Sequence, residues 1–374
     1  MLDSDTIAEQ VRMCAACPKM CRHVCPTFFA WKSDAPTPHG RALLLHQEIT
    51  GTREIDARGV EVLYQCLECS HCLTWCKPEI DIATLVEEKR RELVKANHQP
   101  EGVARIAQLI KETHNPFGED QLTRNEEITI RNSKGTKILY FTGCTAAYRE
   151  KDIAQNTVLL LEQLGYTVEL SADEWCCGSP LFRTGDHDLG LMAARHNIEV
   201  LNRSDAVSIL TTCPGCYRAL TNDYLQTDTK LNKPVHHISE FLRESIDRLP
   251  QGGIEGKVTY HDPCHLGRHS GIYDAPREII EKVTGSSIVE MERNRENAMC
   301  CGNGAGLRTL FPEHAKVIGA ERIQHAKNVG ARYLVTSCPF CKNILSSQSD
   351  SGIEVFDIPE FIIRVISGRY NKID

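Results

Sequence analysis

A chain of 374 residues with 41% apolar content is long enough for two or three cored domains, and it contains no run of about 18 or more apolar residues to span a bilayer. Its net charge of −7 is spread without a long basic block, which argues against a nucleic-acid partner. The opening stretch, "MLDSDTIAEQVRMC", has neither the basic nor the apolar part of a secretory signal, so a cytoplasmic location is expected, with any membrane contact peripheral and made through a partner.

The anomaly is the 18 cysteines. Without an export signal, thiols at this density more often bind metal or do redox chemistry than form disulfides. In chain order the first group is "CAACPKMCRHVCP", Cys14, Cys17, Cys21 and Cys25; the second is "CLECSHCLTWCKP", Cys66, Cys69, Cys72 and Cys76. The second group follows the C-x₂-C-x₂-C-x₃-C run of two-cluster ferredoxins, in which the fourth cysteine of each run serves the other cluster. This predicts one cubane 4Fe–4S cluster on Cys14, Cys17, Cys21 and Cys76, and a second on Cys66, Cys69, Cys72 and Cys25. The alternative is structural zinc, but zinc knuckles separate their C-x₂-C pairs, whereas each group here packs four cysteines within 12 residues. The first group departs from the run by having three residues between Cys17 and Cys21. The helical stretches "PHGRALLLHQEITG" and "LVEEKRRELVKANH" read as amphipathic packing with solvated outer faces. An α-helical, two-cluster ferredoxin-like domain is therefore expected over residues 1–132, with Cys69 remote from the cysteines that follow.

Those ten cysteines form a repeat. The first copy reads as strand "KILYFTG" to Cys144, a helix from Ala147 to Leu164, strand "YTVEL", then Cys176, Cys177 and Gly178. A helix near Asp188 to Asn202 follows, then strand "AVSILTT" and "CPGC", with Cys213 and Cys216. The second copy reads as strand "KVTYHDP" to Cys264, helix "APREIIEKVTG", strand "SSIVEM", then Cys300, Cys301 and Gly302. It continues with helix "PEHAKVIGAERIQHAKNVG", strand "ARYLVTS" and "CPFC", with Cys338 and Cys341. The copies close on "HHISEFL" and "FDIPEFI". Alternating strands and helices predict two pseudo-symmetric α/β lobes, residues 133–250 and 251–374, with cysteines at the carboxyl ends of parallel strands, where open α/β sheets gather ligands. Five thiols per copy exceed what a cubane or a zinc ion uses. They suit a larger cluster in which adjacent cysteines serve neighbouring irons, unless one cysteine per copy is simply a buried core residue. Gly178 and Gly302 are expected to let the backbone approach such a cluster.

The doubled C…CC-G…C-P-x-C pattern, with 31 and 35 residues before the CC pairs, resembles the CCG-domain proteins, in particular the heterodisulfide reductase catalytic subunit with a ferredoxin domain fused ahead of it. That resemblance implies two noncubane 4Fe–4S clusters, one on Cys144, Cys176, Cys177, Cys213 and Cys216, the other on Cys264, Cys300, Cys301, Cys338 and Cys341. It further implies that these clusters lie between the lobes and cleave a disulfide in two one-electron steps. The family also includes iron–sulfur subunits of flavin-dependent dehydrogenases and aromatic-CoA reductases, which relay electrons to or from a partner without a substrate of their own. Both copies are complete here, which favours the disulfide-reducing type.

"CGNGAG" does not have the spacing of a dinucleotide loop, so flavin or quinone chemistry is expected from a partner: a flavoprotein, or a membrane quinone or cytochrome subunit. "HDPCHLGRH" places His261, His265 and His269 around Cys264, each able to donate a hydrogen bond to a thiolate or simply to satisfy local backbone. His265 is the expected proton donor. Trp75 and Trp175 flank cysteines and are expected to shield them from water. The function read from the sequence is an oxidoreductase passing electrons through two cubane clusters to the noncubane sites, where a small thiol or disulfide reacts.

Overall fold

The computed structural model describes residues 4–131, 134–348 and 352–370. The expected boundary at 132/133 lies outside them. The amino-terminal part is helical: α1 (Ser4–Ala15), α2 (Pro26–Trp31), α3 (Pro38–Ile49), α4 (Ala57–Tyr64), α5 (His71–Thr74), α6 (Ile82–Lys95) and α7 (Glu101–Thr113). Short polar side chains set where these helices start. Thr37 accepts from the Gly40 amide at 3.2 Å, Asp56 from Gly59 at 2.8 Å and Asp81 from Ala83 at 3.0 Å. Val11, Leu45, Leu63 and Val86 close a small core against Cys14 and Cys66. Left-handed backbone at Glu68 and Ser70 (φ 49° and 52°) curls the second cysteine run into a tight loop.

The first lobe follows as β1 (Lys137–Tyr140), α8 (Cys144–Tyr148), α9 (Lys151–Gln163), β2 (Thr167–Glu169), α10 (Ser179–Thr184), α11 (His187–Arg203), β3 (Ser208–Thr211), α12 (Pro214–Thr221), β4 (Val235–His237) and α13 (Ile238–Glu244). Its strands are parallel in the order β2-β1-β3-β4, with Ile138 opposite Val168 and Ser208. The helix expected over Ala147–Leu164 is two helices. Arg149 and Glu150 leave helical geometry at the break (φ −123° at both), and the Glu150 carboxylate reaches across to Lys342 of the second lobe at 2.8 Å.

The second lobe runs β5 (Val258–His261), α14 (Asp274–Thr284), α15 (Leu307–Leu310), α16 (Pro312–Asn328), β6 (Tyr333–Thr336), α17 (Pro339–Ser346), β7 (Glu354–Asp357) and α18 (Ile358–Tyr370), with parallel order β5-β6-β7. The strand expected at "SSIVEM" does not form. The Ser286 amide is taken by Thr284 Oγ1 (3.3 Å) and the Ile288 amide by the Glu281 carboxylate (3.3 Å), leaving only Val289 N to bond Val258 O at 2.8 Å. Side chains compete here for the amides a ladder needs.

The lobes pack about a pseudo-two-fold axis. Helix α9 of the first lies on α18 of the second, and α14 of the second lies on α13 of the first, so equivalent helices exchange equivalent contacts. One apolar core runs through both sheets, from Ile138, Tyr140 and Leu161 to Tyr260, Ile280 and Phe361. Among the described residues no helix is long and apolar enough to cross a membrane.

Candidate metal centres and the cavity between the lobes

Parallel strands deliver the lead cysteines to one edge: Cys144 follows β1, Cys213 follows β3, Cys264 follows β5 and Cys338 follows β6. Pro214 and Pro339 open α12 and α17 immediately after Cys213 and Cys338, and fix the turn in which the C-P-x-C thiols lie together. The CC pairs arrive from loops, which lie well past β2 in the first lobe and have no strand before them in the second. All ten thiols nonetheless line a single cavity of about 520 Å³ between the lobes, walled also by Arg149, Arg183, His265, Arg308 and Phe340.

The thiols lie as neighbours in chains. In the first lobe Cys144 meets Cys176, Cys176 meets Cys177, Cys177 meets Cys216 and Cys216 meets Cys213. The second lobe repeats this from Cys264 through Cys300, Cys301 and Cys341 to Cys338. Cys213 and Cys338 meet across the axis and join the two chains. Hydrogen bonds from Cys176 and then Cys216 bring Cys177 down to about 6 against burial, and Cys300 with Cys341 hold Cys301 well below its usual value. Their neighbours move the other way: Cys216 and Cys341 are raised well above the thiol range. Buried thiolates that depend on adjacent S–H groups for charge compensation are a donor set suited to a polynuclear cation. All 18 cysteines are free thiols, so none is committed to a disulfide. The residues present fit iron–sulfur groups.

In the helical part, Cys14 is raised to about 12, by burial and then by Cys21, Cys76 and Cys17. Cys72 is raised by burial and then by Cys69, Cys66, Cys21 and Cys25. Cys76 thus lies near Cys14 and Cys21 of the first run, and Cys25 lies near Cys72 of the second. Cys69 is not remote from the lobes. Its thiol meets Cys300, which brings Cys69 down to about 6 against burial, with Arg268 assisting. Arg268 bridges the two sites, donating to Cys69 O at 2.6 Å and to Ala298 O at 2.7 Å, while a His269 ring nitrogen bonds Glu68 O at 2.9 Å.

Helix packing is the constraint the fold places on Gly178 and Gly302. Both have positive φ (83° and 95°), and an added Cβ would meet the Phe182 ring at 3.1 Å in the first case and Ala315 O at 2.7 Å in the second. Those are contacts with the following helices, not with thiols. Gly143, which carried no motif signal, makes the close approach: its Cβ would stand 3.0 Å from Cys216 Sγ (φ 72°).

His265 lines the cavity beside Cys264, and burial, then His269 and Arg218, lower its pKa well below 6.5. Trp175 is half-buried and sandwiched between His114 and His196, each ring 3.7 Å away, whereas Trp75 is 46% exposed and donates to Asn297 at 2.8 Å. Trp75 thus tethers the helical part to the second lobe more than it screens a cysteine.

Sequence reading missed the buried charges. Arg90, expected on a solvated helix face, is fully buried and donates to Leu63 O, Cys66 O and Arg183 O, each at 2.8 Å, with Glu68 at 2.5 Å. Arg183 pairs in turn with Asp223 at 2.7 Å and Glu87 at 3.2 Å. In the first lobe Arg124 pairs with Glu174 and points at Cys144 Sγ (3.9 Å), and Glu174 accepts the amides of Thr142 and Gly143 at 2.9 Å each. No local pattern marks these positions, because the charges that justify each one are distant in sequence.

Two parallel-sheet lobes presenting doubled C…CC…CxxC thiols to one cavity define an iron–sulfur protein built on a duplicated cysteine-rich module. A family model for the CCG cysteine-rich domain matches residues 138–221 and 258–346. The chain is 36% identical over 340 residues to a dihydromethanophenazine:CoB–CoM heterodisulfide reductase subunit of Methanosarcina barkeri, spanning 86% of this chain and 83% of that protein. It belongs to that family of iron–sulfur oxidoreductase subunits. It is also 29% identical to the EtfAB:quinone oxidoreductase of Syntrophomonas wolfei, across 82% of this chain and 47% of that longer protein. A Helicobacter pylori protein of solved structure shares the fold (TM-score 0.57, 12% identity, 88% of this chain and 68% of that one).

Proposed function

We propose that this chain exchanges electrons with a small thiol–disulfide couple held between its lobes, in the sense disulfide plus two electrons and two protons giving two thiols, or the reverse. A redox partner, a flavoprotein or a membrane quinone or cytochrome subunit, supplies or accepts the electrons. The observation that carries this reading is the convergence of ten thiols from two lobes on one cavity that the second amino-terminal cysteine run also touches, through Cys69 and Cys300. When bound, two cubane 4Fe–4S groups (Cys14, Cys17, Cys21, Cys76; Cys25, Cys66, Cys69, Cys72) and two noncubane groups on the five cysteines of each lobe supply one-electron carriers and sulfur-binding iron.

The protein's own residues do the rest. The part of the cavity that those groups leave free accepts a small molecule, and Arg149 and Arg308 on its wall orient a polar end. Ile106, Phe117 and Phe340 keep water from the thiols. His265 is the residue we place as proton donor to a departing thiolate; its neutral ring passes a proton as a relay, without storing charge. The two functional units are the helical ferredoxin-like part, residues 1–132, and the lobes, 133–250 and 251–374.

Similarity to the EtfAB:quinone oxidoreductase favours a second reading, in which the chain only relays electrons between a flavoprotein and an acceptor. Anaerobically purified protein should hold about 16 iron atoms, summing four 4Fe–4S groups, and should reduce a disulfide with a reduced dye. Iron near 8 would remove the lobe sites and the reading with them. Full iron, dye oxidation by a quinone and no turnover on any disulfide would decide for the relay.

A further inference from the structure

Among the buried positions at which the lobes differ, one stands beside the cysteines of the second lobe. Three residues before the lead cysteine, the first lobe has Phe141 and the second has His261, both fully buried. A His261 ring nitrogen lies within 4.8 Å of the Cys301 and Cys341 sulfurs. The other lobe offers its cysteine pair Asn197 from the helix that follows, and that side chain bonds the carbonyl oxygens of Trp175 and Cys176 instead of a sulfur.

The tautomer of His261 is set by its neighbour. Arg322, fully buried on α16, donates its Nε–H to His261 Nδ1 at 2.9 Å and is itself fixed by donating to Arg293 O at 2.7 Å. A guanidinium has no lone pair to offer, so Nδ1 must be the acceptor and the ring proton must sit on Nε2. Among the described residues Nε2 has no hydrogen-bond partner, despite complete burial. A buried N–H without a partner is costly, and the acceptors its ring approaches are the cysteine sulfurs. The same tautomer keeps the imidazole from binding iron through Nε2, because that lone pair is occupied by the proton.

We propose that His261 donates its Nε2 hydrogen to the Cys301 thiolate, with Arg322 as the residue that positions it, and so raises the potential of the second-lobe site. The inference rests on the reading that both lobes hold iron–sulfur groups. A hydrogen bond to a ligand sulfur stabilises the reduced, more negative state and raises the potential. Since Cys69 meets Cys300 of the second lobe, the site favoured by this bond is also the one that electrons arriving through the second amino-terminal run reach directly.

The test compares His261→Phe, which copies Phe141, with His261→Gln, which keeps an N–H donor in a similar volume. Each is loaded anaerobically, analysed for iron, and titrated against potential by paramagnetic resonance. In His261→Phe the second-lobe reduction equilibrium should fall about tenfold, about 59 mV for one electron, at unchanged iron, with the first-lobe signal unmoved. His261→Gln should recover most of that shift. Equal potentials in wild type and His261→Phe would overturn the proposal, and so would loss of second-lobe iron in both variants, which would make the imidazole a ligand. If the wild-type lobes bind no iron, the functional reading itself falls and takes this inference with it, an outcome distinct from either of those.

Discussion

Arg90 offers a test of how the helical part is fastened to the lobes. Replacing it by Met keeps an unbranched apolar stem but strips Glu68, 1% exposed, of its nearest cation, and leaves the carbonyls of Leu63, Cys66 and Arg183 without their donor. Breaking a buried ion pair from one side costs about 3–5 kcal/mol. Here the lower end applies, because Arg183 Nε stands 3.8 Å from the other Glu68 oxygen and retains part of the compensation. Unfolding entropy of roughly 2.1 cal/mol/K per residue gives about 0.8 kcal/mol/K for a chain of this length. A loss of about 3 kcal/mol then lowers the apparent Tm by about 4 °C. The assay is anaerobic thermal unfolding of the iron-loaded protein at one fixed scan rate, followed by visible absorbance and circular dichroism. Arg90→Met combined with Glu68→Leu should be less destabilised than Arg90→Met alone, since the stranded carboxylate is gone. A single variant as stable as wild type, or a double variant whose loss is the sum of the two singles, would refute the account.

Two further outcomes separate the sites. Cys25→Ser should remove iron from the set containing Cys66, Cys69 and Cys72 while the set of Cys14, Cys17, Cys21 and Cys76 keeps its resonance signal; loss from the other set would reverse the ligand exchange. Gly143→Ala places a Cβ 3.0 Å from Cys216 Sγ at a φ of 72°. It should cost about 1–2 kcal/mol in backbone strain and lower first-lobe iron selectively, measured by iron analysis and denaturant unfolding.

The sequence revealed what is periodic and local. Helices α11, α14 and α16 fall within a residue or two of their expected places, because each carries an apolar face along a continuous stretch. The grouping of all 18 cysteines was visible from spacing alone. What stayed hidden depends on long-range competition. "SSIVEM" has the composition of a strand, but Thr284 and Glu281 take its amides. The helix after Cys144 breaks at Arg149 and Glu150, and the Glu150 carboxylate there pairs with Lys342, nearly two hundred residues on. Glycines after CC pairs suggested cluster approach, the constraint the fold places on them is helix packing, and Gly143 gave no motif to notice. Arg90 sits in "EEKRREL", where charge normally means solvent, and its partners on two other segments, residues 63–68 and Arg183, account for its burial.

The same long-range contacts explain why duplication did not produce two equal sites. The pseudo-two-fold exchange of α9 on α18 and α14 on α13 brings both sets of five thiols to one cavity, and by itself would make them equivalent. The helical part docks unevenly. Against the first lobe it places Tyr64, whose hydroxyl donates to Thr184 O at 3.0 Å, and Arg90. Against the second it places Trp31, stacked on His314 at 3.8 Å, and the Cys69 loop, clamped by Arg268 and His269. The second contact puts thiol against thiol, Cys69 on Cys300. On the proposed function a disulfide takes two electrons and each carrier supplies one, so a cavity shared by two sites would receive them in succession. On that proposal, uneven docking would supply an order for the succession, with the site beside Cys69 filling first. A symmetric dimer of identical lobes would have no such order, which gives a physical reason for both copies to lie in one chain, where an amino-terminal domain can favour one of them.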